Sequence, residues 1–170
     1  LKEYYKQTSE SDTTKISFYE DTYSLYNLYR FAHYYEEAYG KYIWLKSGAS
    51  LVIEHTEAMT VIDVNTGSVL KKKKQEDTLF YQINREAAKE IARQLRLRNI
   101  SGIIMIDFIN MKDTAQKEKL LSLLDSECKK DRVHCNVIDM TALNLVEMTR
   151  SKVRKPLHEQ IRFCMKNNRS

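Results

Sequence analysis

Two aspartates stand at positions where a folding chain seldom places a carboxylate. One lies in Thr60-Val61-Ile62-Asp63-Val64-Asn65-Thr66-Gly67. Read as a strand, this stretch points Asp63 and Asn65 to one face and packs Ile62 and Val64 on the other. The second lies in Ser101-Gly102-Ile103-Ile104-Met105-Ile106-Asp107-Phe108-Ile109, a continuous apolar run that reads as a strand buried on both faces and interrupted by Asp107. An isolated buried charge is costly, and no basic residue follows closely enough to neutralise either carboxylate, so the expected joint partner is a cation. Oxygen donors of the Asp and Asn type, without His or Cys, favour Mg²⁺, with Mn²⁺ as the alternative, over zinc. Such an ion takes one or two carboxylates plus a substrate phosphate and can activate a bound water. Asp63 and Asp107 are therefore candidate catalytic residues and metal ligands, with Asn65 as a third ligand. Aspartates within strands also serve as structural hydrogen-bond hubs, and spacing alone leaves both readings open.

These residues need elements that bring them together. Leu79, Ile83, Ala87, Ile91 and Leu95 recur every fourth residue and predict an amphipathic helix opened by Asp77 or Thr78. Asp113-Thr114-Ala115-Gln116 fits a capping box for a second helix through Leu120, Leu121, Leu124 and Cys128. Val133 to Met140 reads as a further strand. The alternation of strand, helix, strand, helix and strand predicts an α/β fold: a mixed sheet with a central parallel βαβαβ unit flanked by helices. Ligands of such sheets bind beyond the carboxyl ends of the strands, where both aspartates lie. Parallel neighbours sit about 4.8 Å apart, so two in-register carboxylates reach one ion.

Around this unit, 41–46 and 51–55 read as strands joined by a turn at Ser47-Gly48, and 143–149 as a last strand. Pro156 is placed to start a final helix. From Thr22 the spacing of Leu25, Leu28, Tyr29, Ala32, Tyr35 and Tyr39 predicts one helix ending at Gly40. Ten of the eleven tyrosines precede residue 43. Clustered aromatics can stack on nucleic-acid bases, but at helical spacing they read here as core.

Charge points to a partner. Residues 1–57 carry a net −3 and residues 58–170 a net +8, so the basic part surrounds the two aspartates. A basic surround with carboxylates reserved for a metal suits a polyanion. Candidate RNA contacts are Lys71, Lys72, Lys73 and Lys74, together with Arg93, Arg132 and Arg150; a solvated basic face is the plainer alternative. No Gly-rich phosphate loop follows any strand, which weighs against a small-nucleotide site. No run reaches 18 apolar residues, and Cys128, Cys135 and Cys164 form no CxxC pair. The expectation is a cytoplasmic chain without membrane association, with reduced thiols and no zinc.

Glu57 through Gly67, Glu86 through Arg98, Gly102 through Met111 and Leu145 through Arg150 together resemble the ribonuclease E/G family. The resemblance spans about residues 41–155. It implies that 1–46 holds the end of an RNase H-like subdomain, that 47–150 is a DNase I-like catalytic subdomain, and that 151–170 is a basic C-terminal helix or tail. It further implies a Mg²⁺-dependent endonuclease acting on single-stranded RNA, leaving 5′-phosphate and 3′-hydroxyl ends, with Asp63 and Asp107 on the metal and Asn65 in support. Several departures from the family pattern stand out. The S1 RNA-binding domain and 5′ sensor that precede this region in the family are not read here, so a non-catalytic RNA-binding remnant is the alternative expectation. Asn110 replaces an aspartate, and His134 replaces an arginine two residues after Arg132. Cys164-Met165-Lys166-Asn167 retains one thiol of a zinc-sharing CPxC link. One thiol cannot build a four-thiolate site, so a homo-oligomer stays open but a zinc-linked dimer is not expected.

Overall fold

The computed structural model describes residues 18–67 and 76–167, and the chain divides into two compact units, Leu1–Tyr34 and Tyr35–Ser170. In the first unit, helix α1 (Leu25–Leu28) stops at Arg30, whose φ of 50° lies in the left-handed region. That conformation interrupts the single helix expected from Thr22 to Gly40. Helix α2 (Phe31–Tyr39) resumes after it, and Ala38 is its one buried residue. Tyr23, Tyr26, Tyr29, Tyr34, Tyr35 and Tyr39 are exposed, so the reading of these tyrosines as core is corrected. Helical spacing aligns side chains on one face but does not supply the element that would cover it.

The second unit is built on a six-stranded sheet in the order β1-β2-β3-β4-β6-β5. Its strands are β1 (Tyr42–Trp44), β2 (Ser50–His55), β3 (Met59–Asn65), β4 (Gly102–Asp107), β5 (Cys135–Met140) and β6 (Leu145–Arg150). Helix α3 (Glu76–Leu97) crosses from β3 to β4, and α4 (Thr114–Cys128) from β4 to β5. Helix α5 (Leu157–Asn167) follows Pro156. The α/β class and mixed sheet are as expected from the sequence. One pairing differs: β3 and β4 pair in parallel, but β6 is inserted antiparallel between β4 and β5. The short return from β5 to β6 lets β6 fill that gap as a hairpin partner, so β5 keeps the direction of β4 without touching it.

The core explains the helix pattern. Ile62, Val64, Ile104, Ile106, Val146 and Met148 line one face of the sheet and join Ile83, Ala87, Ile91 and Leu95 of α3 and Leu120 and Leu124 of α4 in one cluster. Among the described residues the other face is the more exposed. Ile103 is 49% exposed and Asp107 is exposed, so β4 is not buried on both sides as its apolar run suggested. Asp113 caps α4 by accepting from the Ala115 N–H at 2.9 Å, but Gln116 does not close the box and its Oε1 is buried without a hydrogen bond. Gln94, Arg98 and Glu37 tie the end of α3 to α2: the buried Arg98 guanidinium donates to Gln94 Oε1 and to the carbonyls of Gly40 and Glu37. Arg98 therefore caps the carboxyl end of α2, where its charge complements the helix dipole, instead of standing on a solvent-facing stripe.

Candidate active site

Strand alternation decides which side chains meet. On β3, Thr60, Ile62 and Val64 are buried and Val61, Asp63 and Asn65 are not, so the two polar residues share the open face. In the parallel pair, Asp63 stands directly opposite Asp107. The two backbones are about 4.8 Å apart there, and both carboxylates project from the carboxyl end of the sheet. Asn65 donates from Nδ2 to Asp63 Oδ2 at 2.7 Å, which orients that carboxylate and leaves the amide oxygen free as an acceptor. Neither aspartate forms an ion pair with a described residue.

The electrostatics follow from this placement. Partial withdrawal from water, and next the charge of Asp63, hold the Asp107 carboxyl above the usual carboxylate range. The need for a partner thus arises first from partial desolvation and second from the like charge of Asp63, without the deep burial that the sequence suggested. A divalent cation between the two would reverse that strain. The donor set fits magnesium: two carboxylates and an amide oxygen, with no imidazole or thiolate. Among the described residues no group of three or more His, Cys, Asp or Glu gathers, so protein ligands alone do not build a closed cage.

Two supports were not apparent from motif reading. Asn84 of α3 is fully buried and clamps the chain just beyond Asp107: its Nδ2 donates to the Ile109 carbonyl at 2.7 Å and its Oδ1 accepts from the Ile109 N–H at 3.0 Å. The signal for it is an amide within the apolar stripe of α3, one turn before Ala87 and Ala88. Gly67, two residues after Asn65, has φ 56°, and a Cβ there would lie 2.7 Å from the Gly48 carbonyl oxygen. Only glycine lets the exit of β3 pack on the β1–β2 turn.

The basic candidates are not gathered at the carboxylates. Lys71, Lys72, Lys73 and Lys74 lie outside the described residues. Arg93 sits on α3, which covers the opposite face, and its guanidinium bonds Glu90 and Glu37, each at 2.8 Å. Arg132 precedes β5, whose first residue is in register with Arg150 and so with Gly102, five residues from Asp107 at the amino end of β4. Arg150 is at that same end and only 4% exposed; it binds Asp131 Oδ2 at 3.0 Å, Asn99 Oδ1 at 2.9 Å and the Ile100 carbonyl at 3.0 Å. Its role is to join strand, loop and helix end, so the reading of Arg150 as an RNA contact is not retained.

The Ribonuclease E/G family profile matches residues 1–153. The chain belongs to the ribonuclease E/G family. This ribonuclease E/G chain is 41% identical over 145 residues to ribonuclease G of Escherichia coli strain K12, a match covering 85% of the chain and 29% of that protein. It is 40% identical over 157 residues to ribonuclease G of Haemophilus influenzae, covering 92% and 32% respectively. With ribonuclease E of Nostoc it shares 35% identity over 162 residues, 94% of the chain and 23% of that protein. The chain thus spans less than a third of the length of these relatives. Among its described residues no helix is long and apolar enough to cross a membrane.

Proposed function

We propose that this ribonuclease E/G chain carries the catalytic site of a metal-dependent endoribonuclease that hydrolyses single-stranded RNA in the cytoplasm, during RNA processing and decay. The observation carrying this reading is the in-register pair Asp63 and Asp107 on adjacent parallel strands, open to solvent and oriented by Asn65. Asp63, Asp107 and the Asn65 amide oxygen would hold Mg²⁺ or Mn²⁺, which supplies Lewis acidity and a water of lowered pKa beside the phosphate. The chain's own contribution is positional. Asn65 fixes the Asp63 rotamer, Asn84 anchors the segment leaving Asp107, and the sheet holds both carboxylates against their mutual repulsion. Lys71, Lys72, Lys73 and Lys74, a few residues after Asn65 in sequence, are the proposed phosphate contacts.

Water attacking phosphorus and the 3′ oxygen leaving gives 5′-phosphate and 3′-hydroxyl ends. Attack by the neighbouring 2′-hydroxyl would give a cyclic phosphate instead, so end-group analysis of the products tests the chemistry. The decisive assay is cleavage of an unstructured, end-labelled RNA across a Mg²⁺ titration. Activity is expected in the parent and background rates in Asp63→Asn and Asp107→Asn; retained cleavage in both variants overturns the site. The span of less than a third of the relatives' length favours one second reading, an RNA-binding piece that does not cut. Steeply salt-dependent binding with no cleavage at high Mg²⁺ would support that reading.

A further inference from the structure

The open face that carries the carboxylates also carries two large aromatic rings. Cross-strand neighbours share a face, and the registers extend in rows across the sheet. One row runs Tyr42, Val52, Asp63, Asp107; the next runs Trp44, Ser50, Asn65. Ile43 between them is buried in the core, so Tyr42 and Trp44 project on the side of Asp63 and Asn65. They lie two strands away, about 10 Å from the metal-ligand candidates. Trp44 is 73% exposed and Tyr42 60% exposed, although water is an unfavourable environment for rings of this size.

The surround carries both charges, with lysines left over. The Lys41 ammonium lies 5.7 Å from the centre of the Tyr42 ring and is paired with Glu54. Along the β1 edge, on the side of α3, Trp44 borders a groove of about 440 Å³ in which Lys46, Lys89 and Arg93 alternate with Glu37, Glu86 and Glu90. Arg93 is engaged by Glu90 and Glu37, while Lys46 and Lys89 form no ion pair with any described residue. Exposed rings beside uncommitted ammonium groups are the combination that holds unpaired nucleic acid: bases stack on the aromatics while cations follow the phosphates. A protein partner would gain less from free lysines, which are depleted at the cores of protein interfaces.

We propose that Trp44 and Tyr42 form a base-stacking platform that holds unpaired RNA across the open face of the sheet, with its phosphodiester chain led toward Asp63 and Asp107. The proposal rests on the cleavage reading for its substrate but not for its test. Trp44 is the single tryptophan of the chain, so its fluorescence reports the platform directly. Using the full chain without divalent metal, a titration with oligouridylate and oligoadenylate is expected to quench Trp44. An abasic ribose-phosphate oligomer of equal length is expected to bind weakly and leave the emission unchanged. By anisotropy of labelled RNA, Trp44→Ala and Tyr42→Ala should each weaken binding by roughly 5- to 150-fold, the range for losing one base-stacking aromatic. Trp44→Phe should restore most of it.

Unchanged RNA affinity in Trp44→Ala and Tyr42→Ala, or equal affinity for the abasic oligomer, overturns the platform. So does a Trp44→Ala effect confined to self-association in sedimentation, which would mark the face as a protein interface. The two readings separate cleanly. Base-dependent quenching without Mg²⁺-dependent cleavage keeps the platform and removes the nuclease reading. Cleavage insensitive to Trp44→Ala, without quenching, does the reverse.

Discussion

On the proposed reading, Asp107 is the residue at which stability and activity oppose each other. Its carboxyl is held above the usual range by desolvation and by Asp63, so the folded chain binds this proton more tightly than the unfolded chain does. The metal-free chain is then expected to lose stability as pH rises from the ordinary carboxylate value through the raised one. Asp107→Asn should remove that slope and stabilise the metal-free fold at neutral pH, by less than about 1 kcal/mol because the pair is screened by water. The same variant should lose cleavage. Mg²⁺ should raise the melting temperature of the parent and not that of Asp107→Asn, by mass action on the folded state. Thermal melts at several pH values, with and without Mg²⁺, read all three outcomes; a variant less stable than its parent at neutral pH would contradict the electrostatic account.

At the scale of elements, two devices hold the site end and the tail. The Asn84 amide bonds both backbone groups of Ile109, and alanine there would leave a half-buried N–H and C=O unmatched. Asn84→Ala is expected to destabilise by about 2–4 kcal/mol in urea unfolding and to lower kcat more than it raises KM, since what moves is Asp107. Helix α5 docks differently. Its His158 ring stacks on His55 of β2, with centroids 3.7 Å apart and planes 12° from parallel, and the Leu157 N–H donates to the Arg98 carbonyl at 2.9 Å. Burial first, then the proximity of His158, Arg98 and Arg162, pushes His55 down to about 4, with Glu159 acting weakly in the opposite sense. A depressed histidine is protonated more readily in the unfolded chain. The docking is therefore expected to be intact above pH 6.5 and to be lost progressively as pH falls toward 4. Hydrogen exchange over 157–163 should accelerate across that window, and His158→Phe, which keeps the stack without the second charge, should shift the change to lower pH.

At the scale of the molecule, buried polar bridges join parts far apart in sequence. Burial alone would raise the Asp131 carboxyl, but hydrogen bonds from Arg150 and the Val133 N–H outweigh it and hold the group below the usual range. Arg150→Ala leaves that carboxylate buried and unpaired, an effect of about 3–5 kcal/mol, and Arg150→Lys should restore little because lysine cannot reproduce three directed bonds. Chemical denaturation measures this. An Arg150→Ala chain as stable as its parent but weakened in RNA binding would return Arg150 to the RNA surface. Arg98 makes the same point: its guanidinium reaches carbonyls about sixty positions earlier, at Glu37 and Gly40.

What sequence alone determined was local. Period-2 alternation set which residues of β3 share a face with Asp63, period-4 recurrence set the buried stripe of α3, and the residue types led to the expectation of a hard cation. Four motifs in order were enough to indicate the family, because each joins site residues to the elements that carry them. Tertiary structure decided what depends on neighbours absent from the local pattern. It inserted β6 between β4 and β5, since strand order is a choice among pairings that alternation does not rank. It left one face of β4 open, since an apolar run records tolerance of burial and not burial itself. It buried Arg98 and Arg150, which composition counts as surface charge, because carbonyls and a carboxylate from distant segments converge on them. The two aspartates were legible separately, and the pairing that sets them side by side came from the parallel register of β3 and β4.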